Sequence, residues 1–288
     1  SLAAGRRAIG VTSGNAYRPV SVSALIGAHT VNYNEINKNK IEYFLLFDPN
    51  NSSSVKACIE NARNNLKMVR TAVTLEVWNT VNTWYHEIDK YNLEKYDSKN
   101  LPMTLDWIKK QVNLIKGTIN NTQLINDGFD FIYLGIFYER ADFTARIIDV
   151  KYYILLPSSS YVGTQVDNFQ WSIMLRSVSA YRGFKWAYGN SQIDYTKIID
   201  FLILSELCPR SIFYSLDKIQ HHLARLTKFY QSDNKAYRNI KSIHKGFTDS
   251  SADKIIEFGL HEFLTKFIDD MSTTYSDLEE IYFLGTDK

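Results

Sequence analysis

The feature that most constrains the fold is a long apolar stretch over residues 127–157, DGFDFIYLGIFYERADFTARIIDVKYYILLP. It is apolar on nearly every side and carries only a few charges, so we predict one long helix that is central to its domain. On such a helix, four charged side chains fall within an arc of about 80°. They are Glu139, Asp142, Arg146 and Asp149, here called the charged stripe.

Gly135 lies on the same side of this helix one turn earlier, where the missing side chain would let another backbone come close. Because the helix has so little polar surface, we expect its charges to be partly buried and paired with one another. A structural ion-pair network is the favoured interpretation of the stripe. The alternatives are a site in which Arg140 and Arg146 grip a carboxylate or phosphate, and a hard-cation site on the carboxylates.

A metal site is the least favoured of these interpretations. Helix-bundle di-metal sites normally use Glu-x-x-His units on facing helices, and the central helix contains no histidine. The six histidines of the chain are scattered, apart from the adjacent His221 and His222, which would face different directions on a helix. We therefore expect no metal and no cofactor. No Gly-rich phosphate loop, HExxH or GxSxG motif occurs in the sequence.

Composition supports an all-α helical bundle of roughly nine or ten helices. Only 5 Pro and 13 Gly in 288 residues leave few helix breakers, and no alternating strand period is sustained. The pattern predicts one continuous helix over residues 166–188, then tail helices over 252–271 and 277–284. Residues 1–20 are predicted as loop or frayed terminus, and residues 21–288 as a single domain with halves at 21–126 and 127–288.

Charge and hydropathy exclude several classes of partner. The net charge is +2 and the basic residues are dispersed, which argues against nucleic acid and acidic membrane surfaces. No uncharged apolar run reaches the roughly 20 residues of a membrane helix, and no secretory signal pattern is present. We expect a cytoplasmic protein. Cys58 and Cys208 are far apart without metal-ligand spacing, so we predict two reduced, largely buried thiols.

The sequence also contains an internal similarity. Residues 40–66, KIEYFLLFDPNNSSSVKACIENARNNL, align without gaps on residues 197–223, KIIDFLILSELCPRSIFYSLDKIQHHL. Upstream, an SVSAxxG pattern begins at both Ser21 and Ser177. We interpret this as a degenerate duplication. The same offset places the counterpart of the central helix before residue 1, so the sequence holds one copy of it.

The central helix resembles the Glu-Arg motif helix of the bacterial Alpha-E family, which has the approximate form LGRxxERAdxtaRilDvkY. In this chain the segment is LGIFYERADFTARIIDVKY, residues 134–152. Further similarity covers FLLFDPNNSSSVKACIENARNN, VDNFQWSIMLRSVSA and CPRSI, about residues 20–230 in all. Two departures stand out. The family's first Glu-Arg helix is absent, and the Arg that follows the family's glycine is Ile136 here.

The resemblance implies an all-α fold, and its functional implications are limited. Alpha-E proteins are associated with circularly permuted ATP-grasp ligases and transglutaminase-like peptidases, which suggests a peptide-forming or peptide-modifying system. The first hypothesis is a non-catalytic binding or scaffold protein beside such a ligase. The second is an enzyme acting on an amide or peptide, with Glu139 as the acid/base group. The third is a homo-oligomer in which a second chain supplies the missing helix.

The candidate binding residues combine the charged stripe with two nearby arginines. They are Glu139, Arg140, Asp142, Arg146, Asp149 and Arg210. Arg210 lies in the CPRS element, where it can pack against the central helix or bind an anion at the start of its own helix. We favour packing for Arg210. If Glu139 is catalytic, a solvent-reachable carboxylate is required, whereas an arginine partner in a closed core would contradict catalysis.

Overall fold

A computed structural model describes residues 37–90, 97–154, 165–189, 193–232 and 234–282, with the backbone alone for 151–154 and 165. These residues form twelve α-helices and no strand, which confirms the all-α prediction. The chain divides into two compact units, residues 1–129 and 130–288. The segments predicted at 1–20 and 21–31 lie outside the described residues. Whether the chain forms a single domain with repeat halves stays a prediction.

The described residues of the first unit form four helices before the long helix that leads into the second unit. They are α1 (Lys38–Leu46), α2 (Val55–Met68), α3 (Leu75–Ile88) and α4 (Leu101–Thr122). Helices α2 and α3 are antiparallel, because Arg63 in α2 donates to Asn82 in α3 at 2.7 Å and Lys56 pairs with Asp89. Helix α4 returns alongside α3, and its Trp107 ring meets the Trp84 ring edge to face.

Side-chain caps set where these helices begin. Asn37, Ser54 and Thr74 each accept a hydrogen bond from the backbone N–H three residues later. The polar residues 51–53 just before Ser54 do not cap α2. Asn51 is instead buried in the turn, where its amide donates to the carbonyl of Phe44.

The long helix α5 (Asp127–Ile154) begins at the end of the first unit and continues into the second. In the described part of the second unit, seven further helices follow it. They are α6 (Gln165–Ser177), α7 (Tyr181–Tyr188), α8 (Tyr195–Ile199), α9 (Ile212–Tyr230), α10 (Lys235–Thr248), α11 (Ala252–Phe258) and α12 (Leu260–Tyr282). A π-helical turn, Asp200–Leu204, continues α8. Its Phe201 packs against Phe184 of α7.

Helices α5 and α9 are antiparallel neighbours. Asp130, near the start of α5, bonds to His222 and Arg225 in the second half of α9. Further along α5, the Thr144 hydroxyl donates to the carbonyl of Arg210, just before α9 begins. Helices α5 and α12 are also antiparallel, because Phe131 meets Tyr282 whereas Asp149 bonds to His261.

Helix α10 completes the group by running antiparallel to both α9 and α12. Phe213 at the start of α9 stacks on Phe247 at the end of α10. Lys235 at the start of α10 pairs with Asp277 near the end of α12. Helices α5, α9, α10 and α12 therefore form a four-helix bundle in which every neighbouring pair is antiparallel.

The single helix predicted over 166–188 is wrong, because the chain breaks between α6 and α7. Ser179 has φ 58°, the Ala180 N–H donates to the carbonyl of Leu175, and the Ser179 N–H donates to that of Arg176. This is a Schellman ending with serine at the left-handed position, where glycine is usual. Because no glycine stands at this position, no local pattern indicates the break.

The predicted tail helices also have the wrong boundaries. The break falls at Gly259, whose φ of 102° is accessible to glycine, and α12 then continues unbroken to Tyr282. Helix α10 was not predicted. The prediction for the cysteines was half right, since Cys208 is buried and Cys58 is exposed. None of the described helices combines the length and apolar character needed to cross a membrane.

Candidate functional site

Helix α5 has two different long faces. The face toward the bundle is fully buried and includes Tyr138, Ala141, Ala145 and Ile148. On the opposite side, Gly135, Glu139 and Phe143 are exposed. Because α5 has 3.6 residues per turn, the partly exposed Asp142 and Arg146 lie on that same side. We call Gly135, Glu139, Asp142, Phe143 and Arg146 the open face of α5.

Asp142 and Arg146 form an ion pair within the open face. The Arg146 Nε atom donates to an Asp142 carboxylate oxygen at 2.7 Å, with side-chain exposures of 25% and 12% respectively. Such partly buried pairing is what the sequence predicted for this i,i+4 spacing. The pair fixes the Arg146 guanidinium along the helix, one turn beyond Asp142.

The ion pair with Asp142 uses only a small part of the hydrogen-bonding capacity of the Arg146 guanidinium. Arginine has five N–H donors, and the described contacts of Arg146 use only Nε. Its Nη2 atom is shut off from solvent and has no hydrogen-bond partner. A buried donor left without an acceptor costs about 1–3 kcal/mol. Arg146 is therefore held in place by Asp142, and Nη1 is the part of its guanidinium left to meet an anionic partner.

Glu139 differs from the prediction of a buried, paired charge. It is exposed and makes no hydrogen bond or ion pair with any described residue. The atoms around its carboxyl group partly remove that group from water although the residue is exposed, and this raises its pKa. The charge of Asp142 raises the pKa further, and Arg146 opposes both effects. A carboxylate that is reachable and easier to protonate than usual has the properties of an acid/base group or of an unsatisfied interface charge.

Arg140 points away from the open face. Its Nη1 atom donates to the carbonyl of Pro209 at 3.0 Å, and its guanidinium lies 4.9 Å from the centre of the Phe137 ring. Burial and the nearby Arg210 charge lower the pKa of Arg140. Arg210 contacts α5 through its carbonyl, which accepts from Thr144. Both arginines thus lie where α5 packs against the start of α9, and the packing role of the Arg210 side chain stays a prediction.

Asp149, the last member of the charged stripe, contacts another helix instead of lying on the open face. Its carboxylate bonds to Nδ1 of His261 in α12 at 2.7 Å, and both side chains are about a quarter exposed. The structure therefore brings Glu139, Asp142 and Arg146 together on the open face, whereas Asp149 joins α5 to α12. Sequence reasoning missed His261, because the two residues are more than a hundred positions apart and nothing in their local patterns connects them.

A second charged group lies at the start of α5, where sequence reasoning also found none. Asp130 is buried and bonds to His222 Nδ1 at 2.8 Å and to Arg225 Nε at 2.8 Å. The rings of Tyr133 and Phe137 stack against His222. This closed cluster holds α5 to α9. In the part of the chain that the structure describes, no three His, Cys, Asp or Glu residues are grouped so that they could hold a metal ion.

A protein-family model of a predicted α-helical domain with a conserved Glu-Arg (ER) motif, Alpha-E, matches residues 12–283. The chain belongs to the Alpha-E family. Neither the curated proteins nor the solved structures include a significant match to this Alpha-E chain. The function of Alpha-E domains is not established.

The Glu-Arg dipeptide of this Alpha-E chain is Glu139-Arg140, and its two side chains have separate environments. Glu139 is on the open face, whereas Arg140 reaches back to the Pro209 carbonyl. Adjacent residues on a helix point about 100° apart, which is how one dipeptide serves both a packing contact and an exposed surface. In this Alpha-E chain the arginine that accompanies Glu139 on the open face is Arg146.

Proposed function

We propose that this Alpha-E chain is a non-catalytic binding or scaffold protein that works beside an ATP-grasp-type peptide or amide ligase. The observation that carries the binding role is the open face of α5, with the unpaired Glu139 and the unsatisfied Arg146. The resemblance to Alpha-E proteins associated with such ligases supports the choice of pathway. A transglutaminase-like peptidase is the second proposed partner on the same ground.

The composition of the open face supports binding to a protein. Phe143 is 48% exposed beside Arg146, and aromatic residues and arginine are the types enriched in protein interfaces. Glu139 adds a charge of opposite sign two turns away from Arg146. Opposite charges at fixed positions select a complementary partner and orient it.

The test combines the purified chain with a circularly permuted ATP-grasp ligase from the same genome. We expect a complex in size-exclusion chromatography and a change in the ligase's product formation when the chain is present. Substitution Arg146→Gln should reduce that change, because it removes the cation of the open face. Arg182→Gln is the matched control, since Arg182 is exposed and has no described ion pair. Absence of a complex at micromolar concentrations would contradict the ligase association.

The alternative is an enzyme of peptide or amide modification that uses Glu139 as its acid/base group. The exposed Glu139 carboxyl with its raised pKa favours this candidate. Glu139→Gln keeps the size of the side chain and removes its titration. A binding role predicts that this variant weakens the complex and that a higher concentration of the chain restores the effect on product formation. An enzyme would lose turnover while the fold stays intact, and Glu257→Gln, another exposed glutamate, serves as the control.

A further inference from the structure

We propose that the open face of α5 binds the open face of a second copy of this chain, with the two helices antiparallel. The inference rests on the proposed function in one respect, that the open face is a binding surface. It adds the identity of the partner. The proposal is argued from the order and spacing of the charges on the face and from the glycine beside them.

The charges on the open face are complementary to those of a second copy placed antiparallel to the first. Glu139 and Arg146 are seven residues apart, so they lie two turns apart along the same side, about 10.5 Å from each other. In an antiparallel pair centred between residues 142 and 143, Glu139 of each copy faces Arg146 of the other. Two equivalent ion pairs result, as a two-fold symmetric interface requires.

Each of the two groups lacks the partner that this arrangement supplies. Glu139 has no ion pair within the described residues, and Arg146 engages one of its five donors. The Nη1 atom can donate to the second copy's carboxylate while Nε keeps its bond to Asp142. Asp142 is held by Arg146, so its charge is balanced near the centre of the interface.

Gly135 supports a close approach of the second helix. A Cβ atom built on Gly135 would meet nothing within 4 Å, so the chain's own packing gives no reason for a glycine there. Glycine is a poor helix former, so Gly135 weakens α5 locally while leaving space beside its backbone. In the antiparallel pair, Gly135 of one copy faces Val150 of the other. The missing side chain then makes room for Val150.

The apolar part of the face is compatible with the same arrangement. Ile136, Phe143 and Val150 repeat every seven residues and flank the row formed by Glu139 and Arg146. A seven-residue repeat keeps one side of a helix against an antiparallel neighbour over several turns. With the pair centred beside Phe143, the Phe143 rings of the two copies lie next to each other and cover one another's exposed surface.

The experiment measures the mass of the full chain by light scattering and sedimentation velocity, at concentrations on the order of 1–100 µM. We expect a concentration-dependent dimer. Glu139→Arg and Arg146→Glu each place like charges opposite one another, so each variant alone should dimerise about tenfold more weakly or not at all. Circular dichroism and thermal melting serve as the controls that test whether both variants are folded.

A one-to-one mixture of the two variants gives the decisive measurement. Glu139→Arg supplies two arginines and Arg146→Glu supplies two glutamates, so the mixed pair regains both ion pairs and should dimerise. The double variant Glu139→Arg/Arg146→Glu should also dimerise, because the swap preserves self-complementarity. Glu257→Arg and Arg182→Glu reverse exposed charges away from the open face and should behave like the wild type.

A monomeric wild type at the highest concentration, or a mixture that fails to recover the dimer, would overturn this proposal. The chain could be monomeric while neither the single variants nor the double variant binds the ligase. The open face would then bind the ligase, and the proposed function would stand without the dimer. If the dimer forms as described but no ligase complex does, the dimer stands and the ligase association fails. The two proposals can therefore fail separately.

Discussion

The segment containing α1 and α2 and the segment containing α8 and α9 begin in the same way. The N-cap residues Asn37 and Ser54 are as far apart in the chain as Asp194 and Ser211, and each accepts from the N–H three residues later. The surroundings of the second helix in each segment differ greatly. In α2 only Ile59 is buried, whereas α9 has eight buried residues.

The difference shows which properties are local and which depend on neighbours. A cap residue and its spacing determine where a helix begins, and both segments share them. Burial depends on what packs around the helix. Helix α9 lies between α5 and α10 in a four-helix bundle, whereas α2 packs against α3. The matched cap positions agree with the predicted duplication, which stays a prediction.

The largest effect is expected from a matched pair of leucines. Leu223 in α9 is fully buried, and its counterpart Leu66 in α2 is only partly buried. We expect Leu223→Ala to lower the free energy of unfolding by about 4 kcal/mol, because it removes a buried side chain and leaves a cavity. Leu66→Ala should cost about 1 kcal/mol. Hydrogen exchange resolved by unit measures both, and equal losses would contradict the comparison.

The next-largest effect is expected at Asp130, a buried carboxylate that the α8–α9 segment contacts and the α1–α2 segment does not. Asp130→Ala leaves His222 and Arg225 without their carboxylate and should cost about 3 kcal/mol. The half-exposed Arg225 can turn toward water, which limits the loss. The residues of α2 that match His222 and Arg225 are Asn65 and Met68, which carry no charge. Asn65→Ala should cost less than about 0.5 kcal/mol in the same urea titration.

The two capping serines should behave alike. Ser54 and Ser211 are both fully buried and both accept from the third N–H of their helix. Replacing either by alanine should cost about 1 kcal/mol, with Ser211→Ala slightly worse because the Ser211 hydroxyl also donates to the Ser205 carbonyl. Thermal melting of the two variants tests this. A loss confined to one serine would mean that the shared cap does not stabilise both segments.

The smallest effect concerns α5, the helix that packs on α9, and its sign depends on pH. The pKa of Glu139 is raised in the folded chain, chiefly by burial. Between the ordinary and the raised pKa the folded state therefore binds more protons than the unfolded state, and stability falls as pH rises through that window. Glu139→Gln should remove this dependence. Because the residue is exposed, the substitution should raise the free energy of unfolding by only a few tenths of a kcal/mol at pH values above the raised pKa. Urea midpoints across acidic to neutral pH measure it.

Local sequence patterns predicted the parts of the fold that local interactions determine. The long apolar run predicts α5, which is one helix over Asp127–Ile154. Helix α10 was missed although its buried residues Ala236, Ile240 and Phe247 lie at helical spacing after the cap Asn234. The break at Ser179 lacks the glycine that normally marks such an ending. Only this second failure reflects a weak local signal, for which tertiary packing compensates.

For the candidate site, the sequence predicted the positions of the charges but not their environments. The helical period placed Glu139, Asp142 and Arg146 on one side, and the Asp142–Arg146 pair follows from its spacing. Exposure of Glu139 and the contact of Asp149 with His261 depend on which helices pack around α5. A single sequence does not contain that information in any local pattern.

The antiparallel arrangement of α5, α9, α10 and α12 has a consequence for synthesis on the ribosome. Helices α9, α10 and α12 follow one another closely, whereas α5 ends at Ile154 and its neighbour α9 begins at Ile212. At a synthesis rate of about 5–20 residues per second, the apolar side of α5 stays without its neighbour α9 for several seconds. We expect α5 to be the part of the nascent chain that needs protection from aggregation, and its docking to be the slow, non-local step of folding.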